Sequence, residues 1–179
     1  MKHIKTLQVR VRDKHAPLLR QMARQVNFVW NYLNELSHRS IRERGVFLSA
    51  FDLHPYTKGA GKELGLHSQT LQCVAAEYVT RRKQFRKARL NWRKSGGVRR
   101  SLGWVPFNTA AASWKNGQVY HNGHYFKVWD SYGLAQYGDD REFGKNRTLS
   151  FASSCNQFIV FSMDERKWRK LFDKQIGIL

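Results

Sequence analysis

The chain has 179 residues, with 32 Lys or Arg against 13 Asp or Glu, a formal charge of +19 and a pI near 10.5. So large a charge repels itself in the compact state unless a polyanion is bound, which points to nucleic acid; an anionic membrane would need a second anchor, and none appears in the sequence. Hydrophobic residues at 41% exclude wholesale disorder and allow one proper core, or two small ones.

Residues 1–12 alternate Lys5, Leu7, Val9 and Val11 with Ile4, Thr6, Gln8 and Arg10. Period two predicts a strand here, not a signal peptide. Asp13 to Pro17 turns the chain, and Pro17 suits a first helical turn. Leu18, Leu19, Met22, Val26, Val29, Trp30, Leu33 and Leu36 then recur at helical spacing, predicting a helix with one broad buried face. Gly45 stops it after about Arg44. Pro55, Gly59, Gly61 and Gly65 break residues 46–66 into short helical turns and loops. Ser68 reads as the N-cap of a second long helix, whose apolar face runs through Leu71, Val74, Ala75, Tyr78, Val79 and Phe85.

The most informative stretch follows. Between Arg81 and Arg100 there are ten Lys or Arg residues and no acid, and the acid-free run continues to Trp129. Aromatic residues lace it: Phe85, Trp92, Trp104, Phe107, Trp114, Tyr120, Tyr125 and Phe126. Concentrated positive charge draws phosphate, and interleaved rings offer faces to unpaired bases. The block is expected along the second half of the helix, ending near Ser95, Gly96 and Gly97. A solvated face is the plain alternative for a charge run, but these cations are read as lacking acidic i,i+4 partners, which favours binding. The candidate nucleic-acid contacts are Arg81, Arg82, Lys83, Arg86, Lys87, Arg89, Trp92, Arg93, Lys94, Arg99 and Arg100.

Beyond Gly97 short Val, Phe, Tyr and Trp runs are separated by Gly and Asn: 104–107, 118–120, 124–129, 148–151 and 158–163. Asn116–Gly117 and Asn122–Gly123 are hairpin turn signals. The fold class is therefore α+β, a small antiparallel β-barrel with an inserted helical bundle. Residues 1–12 and 98–163 make the β domain, because the first strand has no other partners. Residues 13–97 form the helical insertion, and 164–179 a charged helical tail or linker.

Other chemistry is weakly represented. His121 and His124 flank a turn with no evident third ligand and are read as exposed turn histidines, so no metal is assigned. Cys73 reads as core, and with Cys155 it lacks any CxxC partner, which fits a reducing compartment. Gly59-Ala60-Gly61-Lys62 lacks the full phosphate-loop frame. The carboxylates Asp139, Asp140, Glu142, Asp164, Glu165 and Asp173 form no convincing metal pattern. No catalytic residue and no cofactor is expected in this chain.

The order of parts resembles the N-terminal half of the TnpB family of insertion-sequence transposon proteins, relatives of the type V CRISPR effectors. Three stretches carry the resemblance: Asn27-Phe28-Val29-Trp30-Asn31 on the first helix; the helix 69–85 running into the basic block and Gly103-Trp104-Val105-Pro106-Phe107-Asn108; and the strand set from Lys115-Asn116-Gly117-Gln118-Val119 through 124–129, followed by the strand 156–163. Asn27 stands where the family carries Arg, Asn108 where it carries Lys, and Pro106 falls one place late. In the family a nuclease half follows, opening on a strand with the first catalytic Asp; Gln175-Ile176-Gly177-Ile178-Leu179 puts Leu179 at that place.

The resemblance implies a wedge-like barrel with an inserted recognition domain, binding a structured guide RNA and target DNA and not catalytic alone. It makes the chain an RNA-guided DNA-binding module of a transposon-associated ribonucleoprotein in the cytoplasm of a bacterium or phage host, nucleoid-associated, with no membrane partner. The alternatives are a recognition subunit completed by a separate nuclease chain or a second copy, and a generic basic RNA-binding protein.

Overall fold

A computed structural model describes residues 4–101, 103–108, 111–130, 148–153 and 157–164, the last two stretches and residues 4–8 as backbone only. The elements run β1 (Ile4–Val11), a 3-10 turn (Asp13–His15), α1 (Ala16–Arg44), α2 (Ala50–Thr57), α3 (Ala60–Leu64), α4 (Ser68–Gln84), β2 (Gly103–Asn108), β3 (Ala112–Lys115), β4 (Gln118–His121), β5 (His124–Trp129), β6 (Thr148–Ser153) and β7 (Gln157–Asp164). The expected tail lies outside the described residues, apart from Asp164 at the end of β7.

Local chemistry sets the ends of α1. Pro17 occupies its first turn, and Gly45 caps it at φ 67°, donating its N–H to the carbonyls of Ile41 and Ser40. Its buried face holds the expected Leu19, Met22, Val26, Val29, Trp30 and Leu33. It also buries Asn27, Asn34 and Ser37, polar groups whose partners lie far away in sequence, and Ser40, whose hydroxyl donates to Val46 O at 3.0 Å. Helix α4 begins one residue differently from the expectation. His67, not Ser68, is the N-cap, and its ring accepts from the Gln69 N–H at 3.2 Å.

The strands form one seven-stranded antiparallel sheet in the order β2-β6-β7-β1-β5-β4-β3. β1 finds its partners among the later strands, with Ile4 opposite Asp164 on β7 and Arg10 opposite Trp129 on β5. Both Asn-Gly pairs turn as expected, with φ of 49° and 69° at Asn116 and Gly117, and 50° and 80° at Asn122 and Gly123. β3 falls where the sequence predicts no strand, because Ala112 and Ser113 carry little strand preference. The tight turn folds it onto β4, pairing Lys115 with Gln118 and Ala112 with His121.

The expected closed barrel is not found. β2 and β3 stand at the two ends of the strand order and do not pair among the described residues. Pro106 gives the reason on the β2 side, since a proline within a strand is confined to an edge. The sheet nevertheless curls strongly. Three residues link Asn108 to Ala112 and reach at most about 14 Å. A flat sheet would separate its end strands by about 29 Å. The Phe107 ring of β2 accordingly stacks on His121 of β4, with centroids 4.4 Å apart.

Helices α1 and α4 pack on each other and both pack on β2. One buried cluster runs from Val9 and Val11 through Val26, Leu33, Val74 and Tyr78 to Phe107, Trp114 and Phe126. Among the described residues no helix is long and apolar enough to cross a membrane.

Candidate nucleic-acid interface

The basic block does not continue the helix. α4 ends at Gln84, and the next turn closes with Arg86 N–H on Lys83 O at 3.1 Å and Lys87 N–H on Arg82 O at 3.2 Å. These are the two bonds of a Schellman motif, and they put Arg86 at φ 51°, the left-handed position glycine usually fills. Like charges without compensation gain nothing from stacking along one helix, so the chain leaves α4 and runs back along α1.

What holds it there is a ladder of asparagines. Asn34 donates to Leu90 O at 2.7 Å and accepts from Leu90 N–H at 2.9 Å. Asn31 does the same for Arg93, with bonds of 2.9 and 2.8 Å. Asn27 donates to Ser95 Oγ at 3.1 Å and accepts from Arg93 Nε at 2.7 Å. The three amides lie at i, i+4 and i+7 on one face of α1. A side-chain amide carries one acceptor and one donor group, so it pairs with a peptide as a neighbouring strand would. Leu90 and Arg93 are thus paired through their backbone as though with a strand, although α1 is a helix, while Asn27 holds the side chains of Ser95 and Arg93. Beyond it, Ser101 N–H to Lys94 O at 2.7 Å and Lys94 N–H to Ser101 Oγ at 2.9 Å close an exposed loop carrying Arg99 and Arg100.

The candidate cations divide. Arg82 is 3% exposed and bonds inward to Ser37 Oγ and to Leu48 O, with Phe47 and Tyr78 rings 5.4 and 5.9 Å from its guanidinium. It is a structural residue, contrary to the expectation from sequence. Arg93 is half-buried between Trp30 and Trp104, 5.4 and 5.5 Å from their ring centroids. Burial lowers its pKa from the ordinary arginine value, and the charge of Glu77 opposes that shift. Two cations have acidic partners that the sequence reading missed. Arg81 meets Glu77 one turn back at 2.6 Å, and Arg89 meets Glu35 of α1 at 3.1 Å. Both pairs are solvent-exposed, which makes each a weak restraint and leaves the guanidinium available to phosphate. Lys83, Arg86, Lys87, Lys94, Arg99 and Arg100 are exposed.

The aromatic residues divide likewise. Phe107, Trp114 and Phe126 are core, and Trp30 is buried as expected, edge-on to Tyr78 and Trp104. Trp92 and Phe85 remain 52% and 57% exposed within the basic segment. Two open grooves meet at Trp92. The first, about 640 Å³, is lined by Trp30, Trp104, Phe85 and Trp92, by Arg81, Lys87 and Arg93, and by Glu77. The second, about 600 Å³, is lined by Arg89, Leu90, Asn91, Trp92, Lys94 and Arg99. Asparagines 27, 31 and 34 build this site without touching solvent strongly. Their signal in the sequence was polar residues at helical spacing on a face otherwise read as buried.

The remaining candidates do not form a second centre. His121 is fully buried, contrary to the exposed turn histidine expected; its Nδ1–H donates to Ala111 O at 2.8 Å. Desolvation, with the charges of His67 and His124, lowers its pKa to about 4 against the pull of that hydrogen bond. His124 is exposed. Cys73 is half-buried, and burial raises its thiol pKa, which keeps it protonated. Gly59 and Gly61 bound the start of α3, where Gly61 O accepts from Leu66 N–H at 2.9 Å, a local turn and not a phosphate cradle. Among the described residues no three His, Cys, Asp or Glu side chains group as metal ligands. No family model matches the chain, and no curated protein matches it.

Proposed function

We propose that the chain is an RNA-guided DNA-binding module of TnpB type, holding a structured guide RNA and its target duplex. The curled sheet takes the wedge role, and the helices of residues 13–97 the recognition role. The observation that carries the reading is the basic segment pinned by Asn27, Asn31 and Asn34. A solvated charge run would not need two asparagines to pair its backbone at Leu90 and Arg93 and a third to hold the Ser95 and Arg93 side chains. Fixing it presents cations at set positions, and phosphate contacts made in that way give register and affinity while base pairing supplies sequence.

The test begins with the protein purified from its native host, digested separately with RNase and DNase, and the co-purifying nucleic acid sequenced. A single structured RNA encoded beside the gene is the expected result. Unrelated RNA, or none, leaves a generic basic binder and overturns the guide reading. With that RNA in hand, the Arg86→Ala, Lys87→Ala, Arg89→Ala triple variant lowers the salt slope by about one unit per lost contact.

A further inference from the structure

We infer that the first groove holds a single unpaired nucleobase, stacked on Trp92, of a strand whose phosphates pass over Trp92 into the second groove. The inference rests on the nucleic-acid reading above and names the form of nucleic acid this part of the surface takes.

Four observations carry it. Trp92 is half exposed while its backbone neighbours Leu90 and Arg93 are each tied by two bonds to an asparagine of α1, so the indole projects from a fixed base. A ring held in place stacks a partner at a low entropy cost. Arg89 lies 5.8 Å from the Trp92 ring and lines only the second groove. That leaves the first-groove face of the indole for another flat group, with a cation behind the ring. The first groove, about 640 Å³, falls in the ~300–1,000 Å³ range of small-ligand clefts. Its lining also includes the Phe85 ring and the polar side chains of Asn91 and Ser101, which suit the edge of a base, and Glu77, whose carboxylate is paired with Arg81.

Bases inside a duplex are stacked on one another and show only their edges. A cleft walled by exposed rings therefore selects unpaired nucleotides, as single-strand platforms do. The cations are placed for the chain on either side of that base. Arg81 and Lys87 border the first groove, and Lys94 and Arg99 the second.

The experiment uses the full chain with short single-stranded oligonucleotides carrying one fluorescent adenine analogue, and the duplex of the same sequence. The expected result is quenching of the analogue on binding. Trp92→Ala then weakens single-strand binding ~10- to 100-fold, the loss of one base–aromatic stack. Its salt slope and its duplex affinity stay as in the parent, and Trp92→Phe retains most of the single-strand affinity. Quenching by RNA or by DNA supports the inference, and a preference between them names the strand. Unquenched fluorescence, or equal losses for single strand and duplex in Trp92→Ala, overturns it while the wider binding reading stands. Failure of the parent chain to bind either form overturns both.

Discussion

Asn34→Leu is the substitution that most directly probes how the basic segment is held. The two side chains share one branched skeleton of four heavy atoms, so Leu adds some bulk but keeps the shape. What changes is hydrogen bonding, because Asn34 is fully buried and serves the Leu90 N–H, the Leu90 carbonyl and the Tyr78 hydroxyl, at 2.9, 2.7 and 3.3 Å. Each group left buried without a partner costs about 1–3 kcal/mol. Three such groups would cost about 3–9 kcal/mol if the segment stayed in place. It can instead peel away and hydrate, so the observed loss of stability settles near the lower end, about 3 kcal/mol, with the cost of releasing Leu90 from the core replacing part of the penalty. Urea unfolding followed by circular dichroism measures the loss. Brief trypsin digestion reports the release, as new early cleavage after Arg89 and Arg93. Tyr78→Phe removes only one donor and costs about 0.5–1.5 kcal/mol, with no new cleavage. A loss in Asn34→Leu below about 1 kcal/mol, with an unchanged digestion pattern, would refute the ladder as the restraint on this segment.

Three further outcomes are expected. Arg86→Gly relieves a left-handed residue and raises stability by about 1 kcal/mol in urea, while weakening nucleic-acid binding and lowering its salt slope by about one unit. Arg82→Ala acts in the opposite way: it strips Leu48 O and Ser37 Oγ of their partner and costs about 3 kcal/mol of stability. In that variant, titration of whatever protein stays folded gives an unchanged salt slope. For His121 the folded pKa of about 4 lies below the ordinary 6.5. The unfolded chain takes up the proton first, so the stabilisation is complete above about pH 6.5 and declines by ~1.4 kcal/mol per pH unit down to about pH 4, roughly 3 kcal/mol in all. Urea midpoints across that range should flatten in His121→Gln relative to the parent; parallel profiles would show that another group carries the dependence.

The elements of the fold were legible because they depend on neighbours in sequence. Period two in residues 4–11, the apolar spacing from Leu19 to Leu33, Gly45 after α1 and the two Asn-Gly turns each follow from backbone geometry that a few consecutive residues set. β3 was missed because its strand character comes from the turn that folds it onto β4 and not from Ala112 and Ser113. Trp92 could be named as exposed within a basic run, since flanking charge keeps a segment at the surface.

Other properties belong to tertiary contacts. Arg82 and Arg86 look alike in a list of cations, yet one points into the Ser37 and Leu48 pocket and the other caps α4 from outside. Nothing local separates them, because a helix buries whichever face another element covers. His121 follows the same rule: the curl of the sheet brings Phe107 and Ala111 over it and makes it a core residue. The end of α4 was misplaced for a related reason. Helix propensity favours Lys and Arg, and only the waiting amides of Asn27, Asn31 and Asn34, more than fifty residues upstream, make the extended path the better one. The sequence by itself determined the charge, the aromatic residues and the order of elements, all of which are written in neighbouring residues. Which cations and rings face outward was decided only by the tertiary structure, because burial depends on pairs brought together from distant parts of the chain.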